Sequence, residues 1–214
     1  MAANSLAEAV GLGTTFLLGQ AVVPALADAS GAIAILGGAI AAVALGTLLE
    51  GVVVGWAQER VLRSRVTRLG PHAWTLATAT GAGAAWAMGM IPSTVISLTV
   101  ADAPGGSVSE PGPLVQYALA IIVGLVTGPV LGLAQWVVLR REVKDAVRWL
   151  WANAVAWGVG MPLIFVGMDY VPWEASAMAR AAAIYAVCAA VGLVVGAIHG
   201  RVLVRLMREV SAGA

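Results

Sequence analysis

Five polar side chains stand within long apolar stretches of this sequence: Glu50, Gln58, Gln135, Asn153 and His199. An ionisable group at the centre of a membrane span costs on the order of 2.5–3.5 kcal/mol, which makes it a functional candidate by default. Glu50 is the first to examine, because it directly precedes a glycine and stands about two turns before Gln58 on a nearby helical face. Paired with His199, it could relay a proton if the fold brings their helices together. The alternative is a protonated or paired carboxyl and a hydrogen-bonded interhelical imidazole. Other chemistry has little support. Neither His72 nor His199 has a second histidine within a turn, and no Cys-x-x-Cys or His-Glu-x-x-His occurs, so the three or four ligands of a metal centre are lacking. No Gly-x-Ser-x-Gly elbow, phosphate loop or dinucleotide fingerprint is visible. Neither catalysis nor a cofactor is expected. Cys188, the only cysteine, reads as a small buried hydrophobe.

Three of these polar residues sit in a recurring motif. Gly51-x3-Gly55-x2-Gln58-x3-Leu62 returns as Gly128-x3-Gly132-x2-Gln135-x3-Leu139 and as Gly192-x3-Gly196-x2-His199-x3-Leu203. Steps of four, three and four residues hold these side chains on one stripe of a helix. Small residues four apart let two backbones approach, and a carboxamide on the same stripe can hydrogen-bond across the contact. Asn153 is the predicted partner of Gln135, and Thr75 or Thr78 that of Gln58. Two readings remain open: the polar groups are glue between helices, or Gln58, Gln135 and His199 converge on an axis and line a polar site. A fainter echo links Trp86-x2-Gly89-Met90-Ile91-Pro92 with Trp157-x2-Gly160-Met161-Pro162.

The elements that carry these residues follow from composition. Of 214 residues, 60% are hydrophobic and 11% charged, against about 45–50% and 25% in soluble domains. Most of the surface must therefore face lipid. An ordinary soluble domain and a secreted disulfide scaffold are excluded, and Lys+Arg 12 against Asp+Glu 11 is not the balance of a nucleic-acid binder. A bilayer core needs about 20 apolar residues per helix. Six such runs emerge, at about residues 9–27, 32–57, 73–100, 114–139, 149–171 and 178–204. Ala25-Leu26-Ala27 resembles a signal-peptide cleavage site, but Glu8 and no Lys or Arg precede it, so the first run is read as a membrane helix. Two spans restore the original direction, so the three motif copies point the same way. The expectation is an all-α integral membrane protein, a single domain over residues 1–214. Its six transmembrane helices form three parallel two-helix hairpin repeats at about 1–69, 70–147 and 148–214.

Orientation follows from basic residues, which favour the cytoplasmic side. Eleven of the twelve Lys and Arg fall on one side with Glu8, Glu59, Glu142, Asp145 and Glu209. Arg180 alone lies on the other, with Asp28, Asp102, Glu110, Asp169 and Glu174. Both termini are therefore predicted in the cytoplasm, and the basic loops should attract anionic lipid. Trp56, Trp74, Trp136, Trp149 and Trp151 would form an inner aromatic belt, with Trp173 at the outer boundary. Trp86 and Trp157 lie deeper, packing on glycines or flanking a cavity.

The stretch Gly132-Leu133-Ala134-Gln135-Trp136-Val137-Val138-Leu139-Arg140-Arg141, followed by the Trp-rich run from Trp149 to Trp157 with Asn153, resembles a segment of uncharacterised multi-pass bacterial membrane proteins. Their hallmark is G-x-x-Q-W-x-V-L-R. The other repeats copy it more faintly, with Glu59 and Gly200 replacing the Trp and Val204 the first Arg. The resemblance implies a multi-pass helical fold in a bacterial inner membrane and supplies no mechanism. The leading expectation is a non-catalytic structural or accessory subunit of a membrane assembly, either self-associating or bound to another membrane component. The alternative is a small-solute or ion carrier or channel with a polar site in the inner half of the bilayer.

Overall fold

The computed structural model describes residues 2–26, 31–64, 66, 69–101 and 111–212. Six helices account for most of them: α1 (Ala2–Ala25), α2 (Gly31–Arg63), α3 (Ala73–Ala101), α4 (Pro113–Leu139), α5 (Arg148–Asp169) and α6 (Ala177–Ala212). No strand occurs among the described residues. Helix is the expected answer for such runs, since in lipid every backbone polar group must be satisfied within the segment. Helices α2 to α6 are long and apolar enough to cross a membrane. Helix α1, with Asn4, Glu8 and Gln20, is not among them. It starts at Ala2, seven residues before the expected run, and so takes Glu8 into the helix. Residues 27–30 and 102–110, where the outer turn and loop were expected, lie outside the described residues, as do Arg65 and Arg68.

The backbones form a ring in chain order. Each helix packs against its two sequence neighbours, and α6 closes on α1. Every neighbour is antiparallel: Gly11 meets Glu50 and Thr15 meets Leu45 across α1 and α2, and Gly196 meets Asn4 while Gly13 meets Tyr185 across α6 and α1. The outward faces carry large exposed apolar side chains such as Ile40, Leu114, Ile122 and Val155, as a lipid-facing surface requires. Inside, one buried cluster joins Leu62, Leu69, Leu139, Val143 and Leu206 near the basic end, and a second joins Leu12, Leu131, Ile164, Ile184 and Val195 further out.

Two local features were not legible beforehand. Helix α2 contains a π-helical stretch, Gly46–Gly51. Its first residue lies flat against the Trp86 indole, where any Cβ would overlap the ring, and Trp86 Nε1 donates to Glu50 Oε2 at 2.7 Å. Insertions of this kind are frequent at functional sites. The second is Glu59, which composition alone placed among the acids of an inner loop. It is 5% exposed and caps α3 from outside: Oε1 accepts the His72 N–H at 2.8 Å, and Oε2 accepts the Thr75 N–H and hydroxyl at 2.9 and 3.0 Å. The first N–H groups of a helix have no partner within it. Glu59→Ala is expected to cost about 1–2 kcal/mol and to speed amide hydrogen exchange at residues 73–76; unchanged exchange there would count against the cap.

Candidate functional site

The glycines of the motif set the geometry. On α2, a Cβ at Gly55 would lie 2.9 Å from the Thr78 Cβ, and one at Gly51 2.8 Å from the Ala79 Cα. On α4, Gly132 meets Asn153 at 3.0 Å, and Gly128 faces the Asn153 carbonyl and the Ala154 Cα. On α6, Gly196 meets the Asn4 Cβ at 2.9 Å, and Gly192 the Glu8 Cβ at 2.6 Å. Each even helix thus presses its glycine stripe onto the following odd helix, and Thr78, Asn153 and Asn4 occupy like positions. One turn further along lie Ala82, Trp157 and Glu8.

The amides then meet in the interior. Trp74 Nε1 donates to Gln58 Oε1 at 2.9 Å, and Trp149 Nε1 donates to Gln135 Oε1 at 2.8 Å. Gln135 Nε2 donates to Thr78 Oγ1 at 3.0 Å and, at 3.4 Å, to Gln58 Oε1. Gln58 Nε2 donates to Asn4 Oδ1 at 2.8 Å, and Asn4 Nδ2 to the Gly192 carbonyl at 3.0 Å. His199 makes no such bond; its ring lies 4.8 Å from that of Trp149. The polar chain therefore runs through α1, α2, α3, α4 and α5 and ends on the Gly192 carbonyl of α6.

This geometry revises several sequence expectations. Trp74 and Trp149 are not part of an interfacial belt. They are 1% and 2% exposed and pack edge-on at 5.7 Å between ring centroids. Depth along a helix had placed them at the boundary, whereas their azimuth turns them inward. Trp56, Trp151 and Trp173 do face outward, and Arg60 and Arg140 cover the rings of Trp56 and Trp136. Gln135 does not bond Asn153, because the Trp149 indole, one turn earlier on α5, takes its carbonyl. Asn153 Nδ2 bonds the Trp149 carbonyl instead, at 2.9 Å. Thr78 bonds Gln135 rather than Gln58.

Gln58, Gln135 and His199 line one small space of about 10 Å3, together with Glu8, Glu50 and Trp157. That is near the minimum for a single water. Glu8 Oε2, both ring nitrogens of His199 and Trp157 Nε1 are buried without a hydrogen-bond partner among the described residues. Glu8 is the residue that the sequence reading missed. Its signal was its spacing: it follows Asn4 by four residues, as Trp157 follows Asn153.

Outward of this space lies a cavity of about 490 Å3. Leu12, Phe16, Val123, Met161 and Ile164 form much of its wall, Trp86 and Trp157 flank it, and Glu50 lies at its inner end. Its other end is bordered by Asp169 and Trp173, both exposed. Glu50, Ala82, Leu131 and Trp157 border both spaces. No family model, curated protein or solved structure matches the chain. No group of three or more metal-ligating side chains occurs among the described residues. The arrangement is suited to holding a molecule against Glu50, with the Gln and Trp chain sealing the end nearer the basic residues.

Proposed function

We propose that this chain is a carrier that binds a small, largely apolar solute in its central cavity. The observation that carries the reading is the cavity of about 490 Å3 with apolar and aromatic walls and a carboxyl at its inner end. Ligand sites have volumes of roughly 300–1,000 Å3 and this kind of lining, with a few convergent polar groups. The bonded amides and indoles close that inner end beyond Glu50, while exposed Asp169 and Trp173 border the other, so the cavity belongs to a state open on one side. The chain is not an enzyme on this reading.

Three parallel hairpin repeats fit the same contacts. The seams α2 on α3, α4 on α5 and α6 on α1 use equivalent glycines, and the pairs Trp74–Gln58 and Trp149–Gln135 share one bonding pattern. Helix α1 crosses with the others, supported by its antiparallel packing along both α2 and α6. Both termini face the cytoplasm of a bacterial-type inner membrane, with anionic lipid at the basic face. The accessory-subunit reading draws support from the same glycine seams, which are packing devices.

Gly89 separates the two. It lines the cavity, and a Cβ there would meet nothing within 4 Å. Gly89→Phe therefore fills the space without disturbing a contact. Native mass spectrometry after gentle extraction is expected to find a small molecule on the unmodified chain and none on this variant, at equal melting temperature. A bare chain in both samples, or equal loading of both, would favour the accessory role.

A further inference from the structure

The cavity also selects for charge. Among the described residues, the ionisable groups that line it are Glu50 at the inner end and Asp169 at the rim, and no Lys, Arg or His joins them. Asp169 already accepts a hydrogen bond from the Tyr117 hydroxyl. Glu50 accepts from the Trp86 indole N–H and has no basic partner among the described residues. Five aromatic rings border the space, those of Phe16, Trp86, Trp157, Phe165 and Trp173. Aromatic faces attract cations and do so more strongly when water is excluded.

We propose that the solute is a lipophilic monocation, its charge placed against Glu50 and its apolar body against the walls. This rests on the carrier reading above. An anion would meet two carboxyls and no counter-charge, whereas a cation alone gives the Glu50 carboxyl a charge partner, so the site favours a cation over a neutral solute of the same shape. A zwitterionic lipid headgroup would bring a phosphate for which the cavity supplies no base, so a free organic cation is the better occupant. Met90, Met161 and Met168 add flexible, polarisable contacts, which suits a site that accepts more than one apolar shape.

Tetraphenylphosphonium and tetraphenylborate share a shape and differ in sign, so they test the charge directly. Equilibrium dialysis against the purified chain is expected to show the cation binding at least about tenfold more tightly than the anion. Glu50→Gln keeps an acceptor for Trp86 and should weaken the cation by about tenfold or more, while a neutral fluorescent probe, N-phenyl-1-naphthylamine, binds as before. Gly89→Phe should abolish binding of both the cation and the neutral probe. Equal affinity for the two ions overturns the charge assignment, and needs no variant to be read. A Glu50→Gln chain that holds the cation normally also overturns it, while the carrier reading survives if the neutral probe still responds to Gly89→Phe. Failure of Gly89→Phe to change any binding removes the carrier reading itself.

Discussion

Gly124→Leu and Gly128→Leu are each expected to destabilise the protein by about 3 kcal/mol or more, at the upper end of what overpacking costs. Helices α4 and α5 touch through backbone at these points. A Cβ on Gly124 would overlap the Trp157 carbonyl, and one on Gly128 the Asn153 carbonyl. Neither oxygen belongs to a side chain that could swing aside, so relief requires the helices to separate. Separation would also draw Trp149 away from Gln135 and lose the dispersion contacts of the seam, which drive helix association in lipid. Gly89→Ala is the matched control. It lies on a helix in open space and should be neutral or stabilising by up to about 1 kcal/mol through helix propensity. Thermal unfolding in detergent gives both answers. Equal melting temperatures for Gly128→Leu and Gly89→Ala would show that the seam is not a close one.

Gln135→Leu is the second large effect, expected at about 2–3 kcal/mol. Interhelical hydrogen bonds in membranes average only about 0.6 kcal/mol, because each group finds another partner when the bond is broken. Gln135 differs in its surroundings. It is 1% exposed, and it accepts from Trp149 and donates to Thr78 and Gln58. Leucine leaves the Trp149 N–H with no acceptor in a sealed interior, and that unmet donor is the larger part of the cost. Gln135→Glu, which retains an acceptor for Trp149, should recover part of the loss. A melting temperature unchanged in Gln135→Leu would mean that the amide contributes no stability, and would direct attention to a role in binding.

The stripe Gly51, Gly55, Gln58 and its two copies was legible because helical spacing alone puts those residues on one face. Thr78 and Asn153 do lie opposite it, but which groups the amides bond was not legible. The echo between Trp86 and Trp157 is offset by 71 positions, whereas the contacts relate Trp74 to Trp149, an offset of 75. The visible similarity was one helical turn out of register with the packing. Glu8 was misplaced for a related reason: hydropathy marks where an apolar run begins, while α1 starts one and a half turns before Glu8. The π-helical stretch begins at Gly46, which lies against the ring of Trp86, a residue 40 positions away. No local rule reaches that far. The cavity was harder still, since it is defined by where the helices do not meet.

The closure of the ring has a consequence for how the chain is made. Asn4 bonds the Gly192 carbonyl across 188 positions, and Glu8 lies against Gly192 on the same helix. At 5–20 residues per second, roughly 10–40 seconds of translation separate the emergence of α1 from that of its partner on α6. Over that interval α1, the helix that carries Asn4 and Glu8, has one permanent neighbour instead of two. Helix α6, made after α1 to α5, therefore completes the burial of α1, and a nascent chain halted before α6 would hold Glu8 without the wall that encloses it.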